Sequence, residues 1–121
     1  MINPKLVLIR GLPGSGKTTI AKSMAGYKHF EADMYHIVDG VYLFDFNSIK
    51  KAHQWCQENT FSELEKGNYV VVSNTFTELW EMQPYIDFGY DYSIIVAKGE
   101  FENIHGVPEE VLKKMTDRFE L

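Results

Sequence analysis

Four short apolar runs, separated by longer stretches in which apolar residues recur at wider intervals, set the rhythm of this chain. Leu6-Val7-Leu8-Ile9 is uninterrupted and ends in Arg10, and Tyr69-Val70-Val71-Val72-Ser73 is β-branched almost throughout. Continuous runs of this kind predict strands buried on both faces, over Lys5 to Arg10 and Tyr69 to Ser73. His29 to Ala32 predicts a short second strand and Tyr92 to Ala97 a fourth.

Between the runs the period lengthens. Thr18 to Ala25 predicts a helix stopped by Gly26. From Ser48 to Lys66 the apolar or small residues Ile49, Ala52, Cys56, Thr60 and Leu64 share one helical face, with Asp45 or Asn47 to cap the start and Gly67 to end it. Thr77 is placed to cap a helix carrying Leu79, Trp80 and Met82, which Pro84 kinks or restarts and Gly89 stops. Pro108 suits a first helical position, and Val111, Leu112, Met115 and Phe119 line one face of a terminal helix. Met34 to Phe46 has aromatics and aspartates but no period, which predicts a loop able to cover a site.

Strand and helix alternate from end to end, an α/β pattern that calls for a parallel sheet with helices on both faces and right-handed crossovers. The 121 residues make one domain, residues 1–121, and bury about two-thirds of the unfolded chain's surface. Ligands of such sheets bind at the carboxyl ends of the strands. Three segments converge there: the loop after strand one, Asp33 after strand two, and Ser73-Asn74-Thr75 after strand three.

The first of these is the most specific. Gly11-Leu12-Pro13-Gly14-Ser15-Gly16-Lys17-Thr18 is a complete G-x-x-x-x-G-K-T phosphate-binding loop, set between a strand and a helix. Its glycines allow successive N–H groups to turn inward around phosphate oxygens. Lys17 reaches the β- and γ-phosphates, Thr18 offers its hydroxyl to Mg²⁺, and the helix start adds unpaired N–H groups and a positive dipole end. The expected ligand is a nucleoside triphosphate, ATP with Mg²⁺, held by Gly11, Pro13, Gly14, Ser15, Gly16, Lys17, Thr18 and Thr19.

Charge and cysteine usage narrow the function. A net charge of −5 argues against a broad electrostatic footprint on nucleic acid, though not against recognition of one strand end. Cys56 is the single cysteine, which excludes an internal disulfide and a multi-cysteine zinc site. The first apolar run is too short for a signal peptide or a membrane span, so the expected location is the cytoplasm, with no membrane partner. Asp33, beside the phosphate-binding loop, can hydrogen-bond an acceptor hydroxyl or hold magnesium-bound water, the alternative being a helix cap or turn residue. Asn74 and Thr75 are candidates for positioning acceptor or metal water, or form a plain strand-end turn. His53 reads as a hydrogen-bonded core histidine. His105, fixed by Gly106 and Pro108 near an expected lid, is a substrate-site candidate with a turn role as the alternative.

Arg10 to Thr19, Glu31 to Tyr35, Phe44-Asp45, Ala52 to Gln57, Val72 to Thr77, Trp80 to Met82, His105 to Pro108 and Met115 to Glu120 together resemble the small P-loop kinase-like ATP-binding proteins of the polynucleotide-kinase group, often labelled AAA family ATPases, of bacteria and phages. The likeness covers almost the whole chain. It implies a P-loop NTPase fold with strand order 2-3-1-4 and γ-phosphoryl transfer to a hydroxyl, a 5′-hydroxyl nucleic acid end or a nucleotide. By the same likeness Asp33 matches the aspartate that accepts the attacking hydroxyl's proton, and Arg118 lies near the nucleotide, the alternative being a salt bridge to Asp117 or Glu120. Two departures stand out. Strand three of P-loop enzymes usually delivers an aspartate to the metal, yet Ser73 stands here. Kinases of this group carry arginines between the fourth strand and the last helix, yet Lys98 to Pro108 has none, and Arg10 and Arg118 are the chain's only two. These departures favour the alternative, a nucleotide-dependent binding or regulatory module, or a weak ATPase, acting on a protein partner.

Overall fold

A computed structural model describes residues 3–98 and 109–120. Four parallel strands form its centre: β1 Leu6–Arg10, β2 Tyr27–Phe30, β5 Tyr69–Ser73 and β6 Tyr92–Val96. They stand in the order β2-β5-β1-β6, which is the expected 2-3-1-4 once a small separate hairpin is left out of the numbering. The register places Ile9 beside Ser73 and Ile95, and Phe30 beside Val72. The helices are α1 Lys17–Lys22, α2 Ile49–Glu65, the short α3 Gln83–Ile86 and α4 Glu109–Arg118. None of the described helices is long and apolar enough to cross a membrane.

Both faces of the central strands β1 and β5 are covered, and alternation along β1 divides its residues between them. Leu6 and Leu8 join Val70, Val72, Ala52, Cys56, Leu64, Phe76 and Tyr85 in one core. Val7 and Ile9 join Val71, Ala21 and Ala97 in the other. This two-sided burial is why β1 and β5 read as unbroken apolar runs. The predicted face of α2 is buried at Ala52, Cys56, Thr60 and Leu64, whereas Ile49, in its first turn, stays exposed.

Several boundaries and one element differ from the expectation. Helix α1 ends at Lys22, three residues short of the expected Ala25, and the second strand begins two residues earlier than expected, at Tyr27, directly after Gly26 turns the chain with a φ of 84°. Thr77 caps nothing: its hydroxyl donates to Glu81 Oε1 (3.2 Å), and the residue entering the 3₁₀ turn Leu79–Met82 is Glu78. Pro84 restarts that turn as α3. Segment 34–46, expected to be irregular, holds the antiparallel hairpin β3 Ile37–Val38 and β4 Val41–Tyr42 between 3₁₀ turns over Ala32–His36 and Phe46–Ser48. Asp39 (φ 51°) and Gly40 (φ 79°) make its two-residue turn, the left-handed pair that a tight hairpin requires. Strands of two residues are too short to show alternation, so only the Asp-Gly pair signalled them. Met115 on α4 and Phe119 just beyond its end are half-buried; the side chains of Val111 and Leu112, together with Pro108, lie outside the described residues.

Candidate functional site

The phosphate-binding loop leaves β1 at its carboxyl end and closes into α1. Its first residue is fixed on both sides: Gly11 N–H donates to the Thr75 carbonyl (3.2 Å), and Ala97 N–H donates to the carbonyl of Arg10 (2.8 Å). Gly14 (φ 81°) and Gly16 (φ 93°) take the left-handed conformation, and the Gly16 carbonyl accepts from Ile20 N–H (3.0 Å) to start α1. A buried hydroxyl inside the loop, Ser15 Oγ, has no hydrogen-bond partner. Lys17 Nζ donates to the Leu12 carbonyl of its own loop (2.9 Å), and burial drives its pKa down to about 8 against the pull of the Glu31 and Asp33 carboxylates. An unpartnered buried hydroxyl and a desolvated ammonium in one glycine cradle fit an anion with several acceptor oxygens.

Thr18, at the second position of α1, points its hydroxyl at Glu31 Oε1 (2.5 Å). Glu31 follows the last residue of β2, one step beyond the Phe30 and Val72 pair, and so comes to lie opposite Ser73. Ser73 Oγ donates to the same Oε1 (3.0 Å), and His29 Nε2 lies 3.0 Å from Oε1 and 2.7 Å from Ser73 Oγ. Burial acts to raise the Glu31 carboxyl, but hydrogen bonds from His29, Thr18 and Ser73 outweigh it and hold the group below the usual carboxylate range.

Asp33 stands two residues further on, in the 3₁₀ turn Ala32–His36, where Tyr42 of the hairpin donates to its Oδ1 (3.2 Å). Burial and then the Asp33 carboxylate push the Tyr42 phenol up to about 12. Asn74 is buried with its amide engaged at both ends: Oδ1 accepts from Ala32 N–H (2.9 Å) and Nδ2 contacts Cys56 Sγ (3.8 Å). It ties the turn that carries Asp33 to the end of β5 and to α2. Thr75 is half-buried and meets the loop through its carbonyl. His53 is half-buried, with burial pulling its pKa down.

The two arginines engage the same segment, at Phe76 to Glu78. Arg10 is buried, and its guanidinium donates to the carbonyls of Phe76 (3.0 and 2.7 Å) and Thr77 (3.2 Å) while lying 4.3 Å from the centre of the Phe119 ring. Arg118 Nε donates to Thr77 Oγ1 (3.1 Å) and lies 3.9 Å from Glu78 Oε1. His105 and the expected lid beyond Lys98 lie outside the described residues.

No protein-family model matches the chain. NEDD4-binding protein 2 of Homo sapiens is 29% identical over 95% of the chain, which spans 8% of that protein's length. The Pnkp1/Rnl/Hen1 RNA repair complex contains a chain that matches with a TM-score of 0.72 and 18% identity, over 96% of this chain and 44% of that one. A gluconokinase from Sinorhizobium meliloti 1021 matches with a TM-score of 0.66 and 18% identity, over 98% of this chain and 76% of the other. An APS kinase from Mycobacterium tuberculosis matches over 98% of both chains with a TM-score of 0.57 and 16% identity. The chain has a P-loop kinase-like fold.

Within that fold the strand ends bring together the loop, Asp33 and the Ser73-Asn74-Thr75 segment, as the sequence predicted. Glu31 and His29 were not singled out by sequence reasoning. Their signal was present in register: an acid directly after strand two, across from the serine where an acid is usual.

Proposed function

We propose that this chain binds ATP with Mg²⁺ and transfers the γ-phosphoryl group to a hydroxyl acceptor, a 5′-hydroxyl nucleic acid end or a nucleotide. The observation that carries the reading is the anion cradle itself, with Ser15 Oγ unpartnered and Lys17 held on Leu12, beside the Asp33 carboxylate at the ends of parallel strands. Gly11, Pro13, Gly14, Ser15 and Gly16 wrap the phosphates, Thr19 lies in the first turn of α1, and Lys17 leaves Leu12 for the phosphate oxygens. Thr18 gives its hydrogen to Glu31, which leaves its oxygen lone pairs for Mg²⁺, and Asp33 can accept from metal-bound water. Bound Mg²⁺ supplies charge neutralisation on the phosphates.

In the transfer, Asp33 accepts the proton of the attacking hydroxyl as the new oxygen–phosphorus bond forms and the bond from the γ-phosphorus to ADP breaks. Asn74 positions this carboxylate through Ala32, while Thr75 and His105 are the acceptor-side candidates and Arg118 the nucleotide-side one. The polynucleotide-kinase resemblance supports the acceptor class, and a fold shared with kinases supports the reaction class.

A second reading is a nucleotide-dependent module for a protein partner. It draws on the hairpin segment, where Ile37, Val38, Val41, Leu43, Phe44 and Phe46 are all at least half exposed. Incubation with Mg²⁺ and γ-labelled ATP against 5′-hydroxyl RNA, 5′-hydroxyl DNA and nucleoside monophosphates separates the two. The kinase reading expects label on one acceptor, lost in Lys17→Ala together with ATP binding, and lost in Asp33→Asn with ATP binding retained. ATP binding without transfer to any acceptor favours the module.

A further inference from the structure

The cluster of Thr18, His29, Glu31 and Ser73 has the wrong geometry for a nucleophilic relay. A relay places the hydroxyl and the acid on opposite nitrogens of the imidazole. Here both Ser73 Oγ and Glu31 Oε1 lie at His29 Nε2. What the cluster does instead is hold one carboxylate. Three groups from three elements converge on Oε1: Thr18 from α1, Ser73 from β5 and His29 from β2. The Glu31 side chain is only 12% exposed, and among the described residues none bonds its second oxygen, Oε2. A buried carboxylate with one oxygen saturated and the other left over is arranged to face a cation or its water shell.

The position matters as much as the charge. Ser73 ends the strand from which an acid would ordinarily serve the metal, and a serine brings no charge. The parallel register puts Glu31 directly across from it, and a glutamate, one methylene longer than an aspartate, spans from β2 to the Thr18 hydroxyl at the head of α1.

We propose that Glu31 supplies, from the end of β2, the acidic charge of the magnesium site that the end of β5 lacks, with Ser73 and His29 as its positioning residues. Thr18 is thereby oriented to present lone pairs to the ion, and Glu31 Oε2 accepts hydrogen bonds from metal-bound water. The assignment rests on the nucleotide-binding reading above and adds to it a relocated metal acid.

ATP binding by calorimetry, without acceptor and with or without Mg²⁺, tests it, the quantity read being the ratio of the two affinities. Wild-type protein is expected to bind ATP more tightly with Mg²⁺. Glu31→Gln, with folding checked by circular dichroism, is expected to lose roughly 10- to 100-fold of that enhancement, the usual cost of removing a group that orients a metal ligand. The double variant Glu31→Ser, Ser73→Asp returns the acid to β5 and is expected to regain most of the enhancement; it decides the matter if Glu31→Gln does not fold. A folded Glu31→Gln with the full enhancement overturns the assignment, as does a double variant that regains none. Wild-type protein that binds ATP equally with and without Mg²⁺ overturns it while leaving nucleotide binding intact. Wild-type protein that binds ATP under neither condition overturns the nucleotide reading itself.

Discussion

Lys17 gives up most of its water to lie along its own loop, and the Leu12 carbonyl returns only one hydrogen bond. Its folded pKa of about 8 lies below the ordinary 10.5, so between those values the folded protein sheds a proton that the unfolded chain keeps. Stability therefore rises with pH across that window, and below it the charged, desolvated lysine weakens the fold. Without nucleotide, Lys17→Met is expected to be more stable than wild type at pH 7, by on the order of 2 kcal/mol, with the gap shrinking toward pH 10. Thermal melts at the two pH values check this, and a less stable Lys17→Met at pH 7 would show that the Leu12 contact dominates. Lysine and threonine were legible from motif spacing alone, because the loop's chemistry is local. Glu31 was not, since its role depends on which strand lies beside β2.

At the scale of elements, the loop is shaped by what surrounds its first glycine. A Cβ on Gly11 would stand 2.8 Å from the Ala97 carbonyl oxygen and against the Ser15 hydroxyl. Backbone held in a parallel sheet cannot yield far, so Gly11→Ala is expected to lose about 1–3 kcal/mol of stability and to weaken ATP binding, read by urea denaturation and calorimetry. Wild-type behaviour would mean that strand β6 moves aside. Strands β1 and β5 and helix α2 were legible because burial on both faces, or a run of 17 residues, writes a long pattern. The hairpin was missed because its apolar residues face solvent, leaving no buried side to mark. Thr77 reads as a cap by residue type, but a local contact with Glu81 and a long-range one with Arg118 claim its hydroxyl.

Across the whole molecule, Arg10 fastens three distant parts of the chain. From the end of β1 it holds the Phe76 and Thr77 carbonyls and stacks on Phe119, while Glu120 N–H donates to the Thr77 carbonyl (2.6 Å) and Leu79 N–H to Glu120 Oε1 (3.0 Å). Burial pulls the guanidinium pKa down, with Glu120 and Glu81 holding it up. Arg10→Met keeps the bulk and removes the donors; the expected loss is about 2–4 kcal/mol, with faster amide exchange at Leu79 and Glu120. Unchanged exchange there would show that the corner closes without the arginine. Sequence alone assigns Arg10 no partner, because what it holds are main-chain carbonyls, which no side-chain motif announces.

Phe76 adopts a left-handed φ of 44° while its ring is buried in the core, a conformation that a bulky residue enters only under constraint. The two hydrogen bonds from Arg10 to its carbonyl supply that constraint across 66 residues of sequence. The pair is thus one mechanical unit. A variant without the arginine would gain from glycine at 76, which takes this φ freely but empties the core beneath the loop, so neither position can change without cost at the other.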